Sequence, residues 1–175
     1  KNADDRFDWQ QRLDQTIIAC YQQIRNASKA IDLSTVTPTK TAWLAAPLLE
    51  RGEHTVLFAE GGLGKSLVAL ALAIQCATGK KVLPAIETPD TPTKVLYLDW
   101  ETGADVHKRR LDEICAGLGI AAPQDRLYYW RMEFALREAF ADIRAFIAQN
   151  QIGLVVVDSA ALAANGDVNE SSTGT

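Results

Sequence analysis

Eight residues, Ala59-Glu60-Gly61-Gly62-Leu63-Gly64-Lys65-Ser66, gather the groups best suited to chemistry in this 175-residue chain. Glycines let a backbone curl with its N–H groups pointing inward, which makes a nest for anionic oxygens. A helix opening at Lys65 adds unpaired N–H groups and the positive end of its dipole. The Lys65 ammonium then has the reach for β- and γ-phosphates, and the Ser66 hydroxyl suits Mg²⁺. The stretch therefore predicts a triphosphate-binding loop formed by Glu60, Gly61, Gly62, Leu63, Gly64, Lys65, Ser66 and Leu67, with a nucleoside triphosphate and Mg²⁺ as its ligands. The usual pattern starts with Gly where this chain has Ala59, and that exchange loses only the freedom to adopt positive φ. The bland alternative is a glycine turn that happens to carry a lysine.

Two further stretches supply carboxylates. Leu154-Val155-Val156-Val157-Asp158 is an apolar run ending in an acid, the form of a strand whose carboxylate holds Mg²⁺. An acid at that place also suits a simple strand-end cap; the Gly-Lys-Ser upstream favours the metal. Tyr97-Leu98-Asp99-Trp100-Glu101 ends a second run. Glu101 is the candidate base for an attacking water, with Lys65 the other catalytic candidate. Asp99 precedes Glu101 by two residues, so strand alternation predicts that both carboxylates point the same way. Glu101 read as a solvated turn residue is the competing account.

These groups meet only if the intervening chain folds in a particular order. The sequence predicts a first core strand over His54–Ala59, a helix over Lys65–Thr78 stopped at Gly79, and a strand over Lys94–Asp99. A helix follows from about Ala104, with Leu111, Ile114, Cys115 and Leu118 on one face, stopping near Gly119. Leu127–Trp130 reads as a strand, Leu136 to Ile147 as an amphipathic helix, and Leu154–Ser159 as the last strand. Pro84 to Thr93, with three prolines, is a loop. Alternating strands and helices mean a parallel sheet with right-handed crossovers, and such sheets bind ligands at the carboxyl ends of their strands. The expected fold class is α/β, a three-layer nucleotide-binding domain with a mainly parallel sheet.

Ahead of this core, residues 5–29 show helical spacing through Trp9, Leu13, Ile17, Tyr21 and Ile24. The expected organisation is an amphipathic helix over 1–30, a polar linker over 31–42, the core over 43–165 and a polar end over 166–175. The N-terminal helix suits docking to a neighbour and packing on its own core equally. The chain starts at Lys1 and its last residues are polar, so both ends read as cut from something longer, and the core as truncated.

A net charge of −4 gives the chain as a whole no electrostatic case for nucleic acid or anionic membrane. Lys108-Arg109-Arg110 is the one dense basic run, a phosphate contact or a solvated helix face. His54 reads as structural. Cys20, Cys76 and Cys115 are odd in number and far apart, as expected of reduced core thiols in a cytoplasmic protein. No apolar run is long enough to span a membrane.

With those residues in place, Ala59–Ser66, Tyr97–Glu101 and Val156-Val157-Asp158-Ser159-Ala160-Ala161-Leu162 resemble the three nucleotide-site motifs of RecA-like P-loop ATPases. The resemblance is nearest to the RepA-type plasmid and phage replicative helicases and covers about residues 43–165. It implies Mg²⁺-dependent ATP hydrolysis with Glu101 activating water, a homo-oligomeric ring (a hexamer), and single-stranded DNA contacted by the loop after Asp158. Three other functions fit the same motifs: a RecA-fold regulatory or recombination switch, a P-loop small-molecule kinase, and a nucleotide-dependent interaction module. Glu101 favours hydrolysis over transfer to a metabolite.

Overall fold

The structure, a computed structural model, describes residues 32–165. The chain divides into two compact units, Lys1–Lys40 and Thr41–Thr175. In the first, the described residues form a single 3₁₀ turn, Leu33–Thr35, where the Asp32 carboxylate accepts from the Ser34 N–H at 2.9 Å. The helix expected over 5–29, Cys20 and the polar end over 166–175 lie outside the described residues.

In the second unit the elements run β1 (Trp43–Ala45), β2 (Leu49–Glu50), α1 (Lys65–Thr78), β3 (Lys94–Asp99), α2 (Ala104–Leu118), β4 (Leu127–Arg131), α3 (Phe140–Asn150), β5 (Ile152–Asp158) and α4 (Ala160–Asn165). β1 and β2 form a small antiparallel pair, and the other three strands form a parallel sheet in the order β4-β3-β5. β3 is central because its run Val95–Trp100 is buried throughout, the pattern of a strand covered on both faces. Alternation then sorts its residues. Val95 and Tyr97 pack with Leu154 and Val156 of β5 against α1 and α2. Leu96 and Leu98, with Trp100 just beyond the strand, pack against Ile143 of α3 and Ala163 of α4. Helices thus cover both faces, and the molecule is an α/β domain of three layers.

α1 buries Leu70 through Ala77 without interruption, so its second half is enclosed. Its first turn is not: Leu67 and Val68 are 49% and 41% exposed. Gly79 and Gly119 end α1 and α2 in the left-handed conformation, each donating its N–H to a carbonyl of the last turn. Gln75, wholly buried on α1, makes four bonds, from its amide to the Ile86 and Glu87 carbonyls and from the Val82 and Leu83 N–H groups to its Oε1. That one side chain ties the proline-rich loop to the helix. Cys76 and Cys115 are free and buried, and burial pushes the Cys76 thiol up to about 11.

Three expectations are corrected. His54–Ala59 is not a strand; Val56 is 74% and Phe58 96% exposed. A strand exists only by pairing, and the outer edge of β5 is separated from His54–Leu57 by a cavity of about 1080 Å³ walled by both. The apolar run therefore lacks a backbone partner among the described residues and stays irregular. Next, α3 begins at Phe140 rather than Leu136, because residues 136–139 form turns in which the Leu136 N–H bonds the Ala163 carbonyl. Finally, Leu118, expected on the buried face of α2, is 47% exposed at the helix end.

Candidate functional site

The loop after Ala59 curls as its glycines dictate. Gly62 and Gly64 both sit at φ 79°, where a side chain would be strained. Gly64 is the N-cap of α1, with no side-chain cap and no acidic residue in the first turn, so the helix presents bare N–H donors there. Lys65, the first helical residue, turns its Nζ back to donate to the carbonyls of Ala59 at 2.6 Å and Glu60 at 2.7 Å. Glu60 through Gly64 and Leu67 are exposed, while Lys65 and Ser66 are half-buried. Glycine conformation, bare helix donors and an ammonium within one turn form a donor set that fits a polyphosphate.

The carboxylates come from the sheet. β3 and β5 are in register, with Asp99 beside Asp158 and Tyr97 beside Val156. Asp158 is half-buried, and its Oδ2 accepts from the Tyr97 hydroxyl at 2.7 Å. The same hydroxyl lies 3.4 Å from the Ser66 carbonyl oxygen, so Asp158 and the start of α1 share one phenol. Burial foremost, then the hydrogen bond to Asp158 and the Asp158 and Asp99 charges, hold the Tyr97 pKa far above the usual phenol range. It therefore keeps its proton and donates.

Asp99 behaves differently from the sequence expectation. It is fully buried and its carboxylate is consumed locally. Oδ1 accepts from the Glu101 N–H at 2.9 Å, and Oδ2 from the Thr102 N–H at 2.9 Å and from His107 Nε2 at 3.1 Å. The other ring nitrogen, His107 Nδ1, is buried without a partner among the described residues. The Tyr129 hydroxyl is 3.1 Å from the same Oδ2 and also bonds the Thr102 carbonyl, which the Arg131 guanidinium reaches at 3.2 Å. Burial, then the Asp99 charge, pushes the Tyr129 pKa up. Asp99 is thus the anchor of the corner that follows β3.

Glu101 projects from that corner, exposed, with its Oε1 accepting from Ser159 Oγ at 3.2 Å. Asp99 and Glu101 therefore part company: Asp99 turns into the protein beneath α2, and Glu101 reaches across to the end of β5. The Trp100 N–H bonds the Asp158 carbonyl at 3.0 Å, which closes the gap between the two strand ends. The sheet thus brings Ser66 to Asp158 through Tyr97, and Glu101 to Ser159. It does not bring the exposed part of the loop against either carboxylate. Among the described residues no three His, Cys, Asp or Glu side chains cluster as a metal site. A hydroxyl and one carboxylate still suit a cation whose remaining ligands are phosphate oxygens and water.

Of the other residues the sequence raised, His54 is exposed at the cavity rim. Lys108 pairs with Asp112 one turn along α2, a solvated helix contact. Tyr97, Tyr129, His107 and Ser159 were not singled out. Tyr97 had a signal, since it shares the parity of Asp99; Tyr129 lies opposite Tyr97, a register that only the paired strands reveal.

A three-layer α/β domain with a glycine-rich loop opening a helix, and acids at the carboxyl ends of adjacent parallel strands, defines a P-loop ATPase domain. The chain matches the family model described as an AAA domain over residues 22–174, and it belongs to that family. The match begins ahead of the residues that carry the motifs. No curated protein and no solved structure matches the chain significantly. No helix among the described residues is long and apolar enough to cross a membrane.

Proposed function

We propose that this AAA domain is the Mg²⁺-dependent ATP-hydrolysing motor of a RepA-type replicative helicase, acting as a homo-oligomeric ring, a hexamer, on DNA. The observation that supports it best is the meeting of three motifs at one end of the sheet. Ser66 and Asp158 flank the Tyr97 hydroxyl, and Glu101 rests on Ser159 beside Asp158. In this reading the domain organisation is an N-terminal helix over 1–30, a linker over 31–42 and the core over 43–165.

The residues divide the work by chemistry. Glu60 through Leu67 bind the triphosphate through backbone N–H groups, and the Lys65 ammonium supplies the compact positive charge its oxygens need. Ser66 and Asp158 would hold Mg²⁺, which when bound neutralises charge on the β- and γ-phosphate oxygens. Glu101 takes a proton from the attacking water. Its Oε1 is steadied by Ser159 Oγ, so the side chain is oriented before water arrives. The loop after Asp158 is the surface proposed to contact single-stranded DNA.

Lys65→Ala is the direct test. Calorimetry with ATP and Mg²⁺ on the full-length protein should show binding lost, with circular dichroism confirming an intact fold. Equal ATP affinity in the variant sinks the assignment. Stimulation of hydrolysis by single-stranded DNA supports a motor; a rate indifferent to DNA points to the switch.

A further inference from the structure

Motifs name the groups around Mg²⁺ but not what holds a hydroxyl on one element and a carboxylate on another in mutual position. Tyr97 links the two elements, its hydroxyl lying between the Ser66 backbone carbonyl and the Asp158 carboxylate. It lies buried in the central strand, and its ring centroid is 4.8 Å from that of His107. Its hydroxyl has one proton. The 2.7 Å contact to Asp158 Oδ2 takes it, while the Ser66 carbonyl at 3.4 Å is the weaker neighbour. Among the described residues no side chain or backbone group donates to Asp158 Oδ1. One oxygen is held by the Tyr97 hydroxyl, and the other has no protein donor among the described residues.

We propose that Tyr97 is a positioning residue for the Mg²⁺ site: its hydroxyl sets the orientation of the Asp158 carboxylate relative to the first turn of α1. The inference rests on the reading of Asp158 as the metal carboxylate given above. Hydrogen-bond partners of metal-binding carboxylates fix their direction, and losing one typically weakens metal affinity by about 10–100-fold. Backbone donors of the loop, not Tyr97, face the nucleotide. The dependence on Tyr97 therefore falls on the metal and not on ATP itself.

The test uses the full-length protein and Mn²⁺ as the metal probe, with Mn²⁺ affinity in the protein–ATP complex read by calorimetry from the ratio of ATP affinity with saturating Mn²⁺ to ATP affinity in EDTA. Tyr97→Phe should weaken Mn²⁺ binding on the order of tenfold, leaving ATP affinity in EDTA unchanged. Tyr97→4-aminophenylalanine, which keeps the ring and a donor, should restore it. Asp158→Asn should weaken Mn²⁺ binding as well, and adding Tyr97→Phe to it should change nothing more. If Tyr97→Phe loses its fold by circular dichroism, 4-aminophenylalanine against 4-fluorophenylalanine at position 97 makes the same comparison. Unchanged Mn²⁺ affinity without the donor, while Asp158→Asn is impaired, overturns the inference alone; so do additive losses in the double variant. Unchanged Mn²⁺ affinity in Asp158→Asn overturns the metal reading and this inference together. A tyrosine that merely fills space would lower ATP affinity in EDTA and metal affinity alike, which also overturns it.

Discussion

The two halves of the candidate site are built in opposite ways. The carboxylate half grows from the central strand: Asp99 is wholly buried, and two backbone N–H groups, a histidine and a tyrosine are spent on holding it. The phosphate half, from His54 to Gly64, is exposed apart from half-buried Ala59, and a lysine folded back on two carbonyls is its main tie. The difference teaches where each half gets its order. A corner next to a covered parallel sheet is fixed by packing and hydrogen bonds inside the domain. A glycine loop is fixed only by what lies on either side of it. On one side that is α1, on the other an unpaired run facing a cavity.

The largest expected effect belongs to the residue that projects from the ordered half. Glu101→Gln should cut kcat by about 10²–10⁴, roughly 3–5 kcal/mol of barrier. ATP affinity should hold, because the loop supplies the ground-state contacts. Steady-state hydrolysis with ATP saturating, paired with calorimetry, measures both. A wild-type kcat in this variant removes Glu101 from the chemistry.

Asp99→Asn probes the anchor instead of the chemistry. Whichever way the new amide is turned, its NH₂ meets one of the donors now bonded to the carboxylate. Hydrogen bonds to a charged group contribute about 1.5–3 kcal/mol each, so stability should fall on the order of 3 kcal/mol. Urea unfolding reads this directly. Either orientation removes a backbone bond that sets the Glu101 corner, the Glu101 N–H on one oxygen or the Thr102 N–H on the other, so turnover should drop with stability. A variant that keeps full stability but loses all turnover would make Asp99 the base and Glu101 the bystander.

The contrast between the halves also explains what the sequence revealed. Periodicity and glycine signals located α1, β3, α2, β4 and β5 because each is determined by its own buried face. Gly79 and Gly119 stopped the helices where expected. The run His54–Ala59 has the same apolar character as β5, yet pairing is a property of two segments and no single segment reports it. Alternation predicts that Asp99 and Glu101 point the same way, but it is a strand rule, and β3 ends at Asp99. Beyond that residue the chain turns, so Glu101 no longer follows the strand's parity. Tyr97 and Tyr129 went unnoticed because a tyrosine in a buried strand usually signals packing alone; what its hydroxyl touches depends on register, which is decided between strands. Leu136 misled in another way, since a helical spacing of apolar residues continues into a turn when that turn packs on the same face.

The smallest expected effect is the most direct test of the comparison. Phe58 and Leu98 are both large apolar residues in runs that read as core strands. Leu98 is fully buried, and Phe58 is 96% exposed. Truncating a buried leucine costs about 2–5 kcal/mol from lost transfer energy and the cavity left behind. Leu98→Ala should fall in that range in urea unfolding. A surface substitution away from any special feature stays within about 0.5 kcal/mol, and Phe58→Ala should do the same. Removing so exposed a ring gives up little buried area, since stabilisation scales with the area withdrawn from water at about 25 cal/mol per Å². The midpoint should move and the slope should not, because the slope follows the total surface exposed on unfolding. A loss above 2 kcal/mol for Phe58→Ala would show that the segment before the loop is packed in solution. The phosphate half would then be as firmly built as the carboxylate half, and the contrast between them would go.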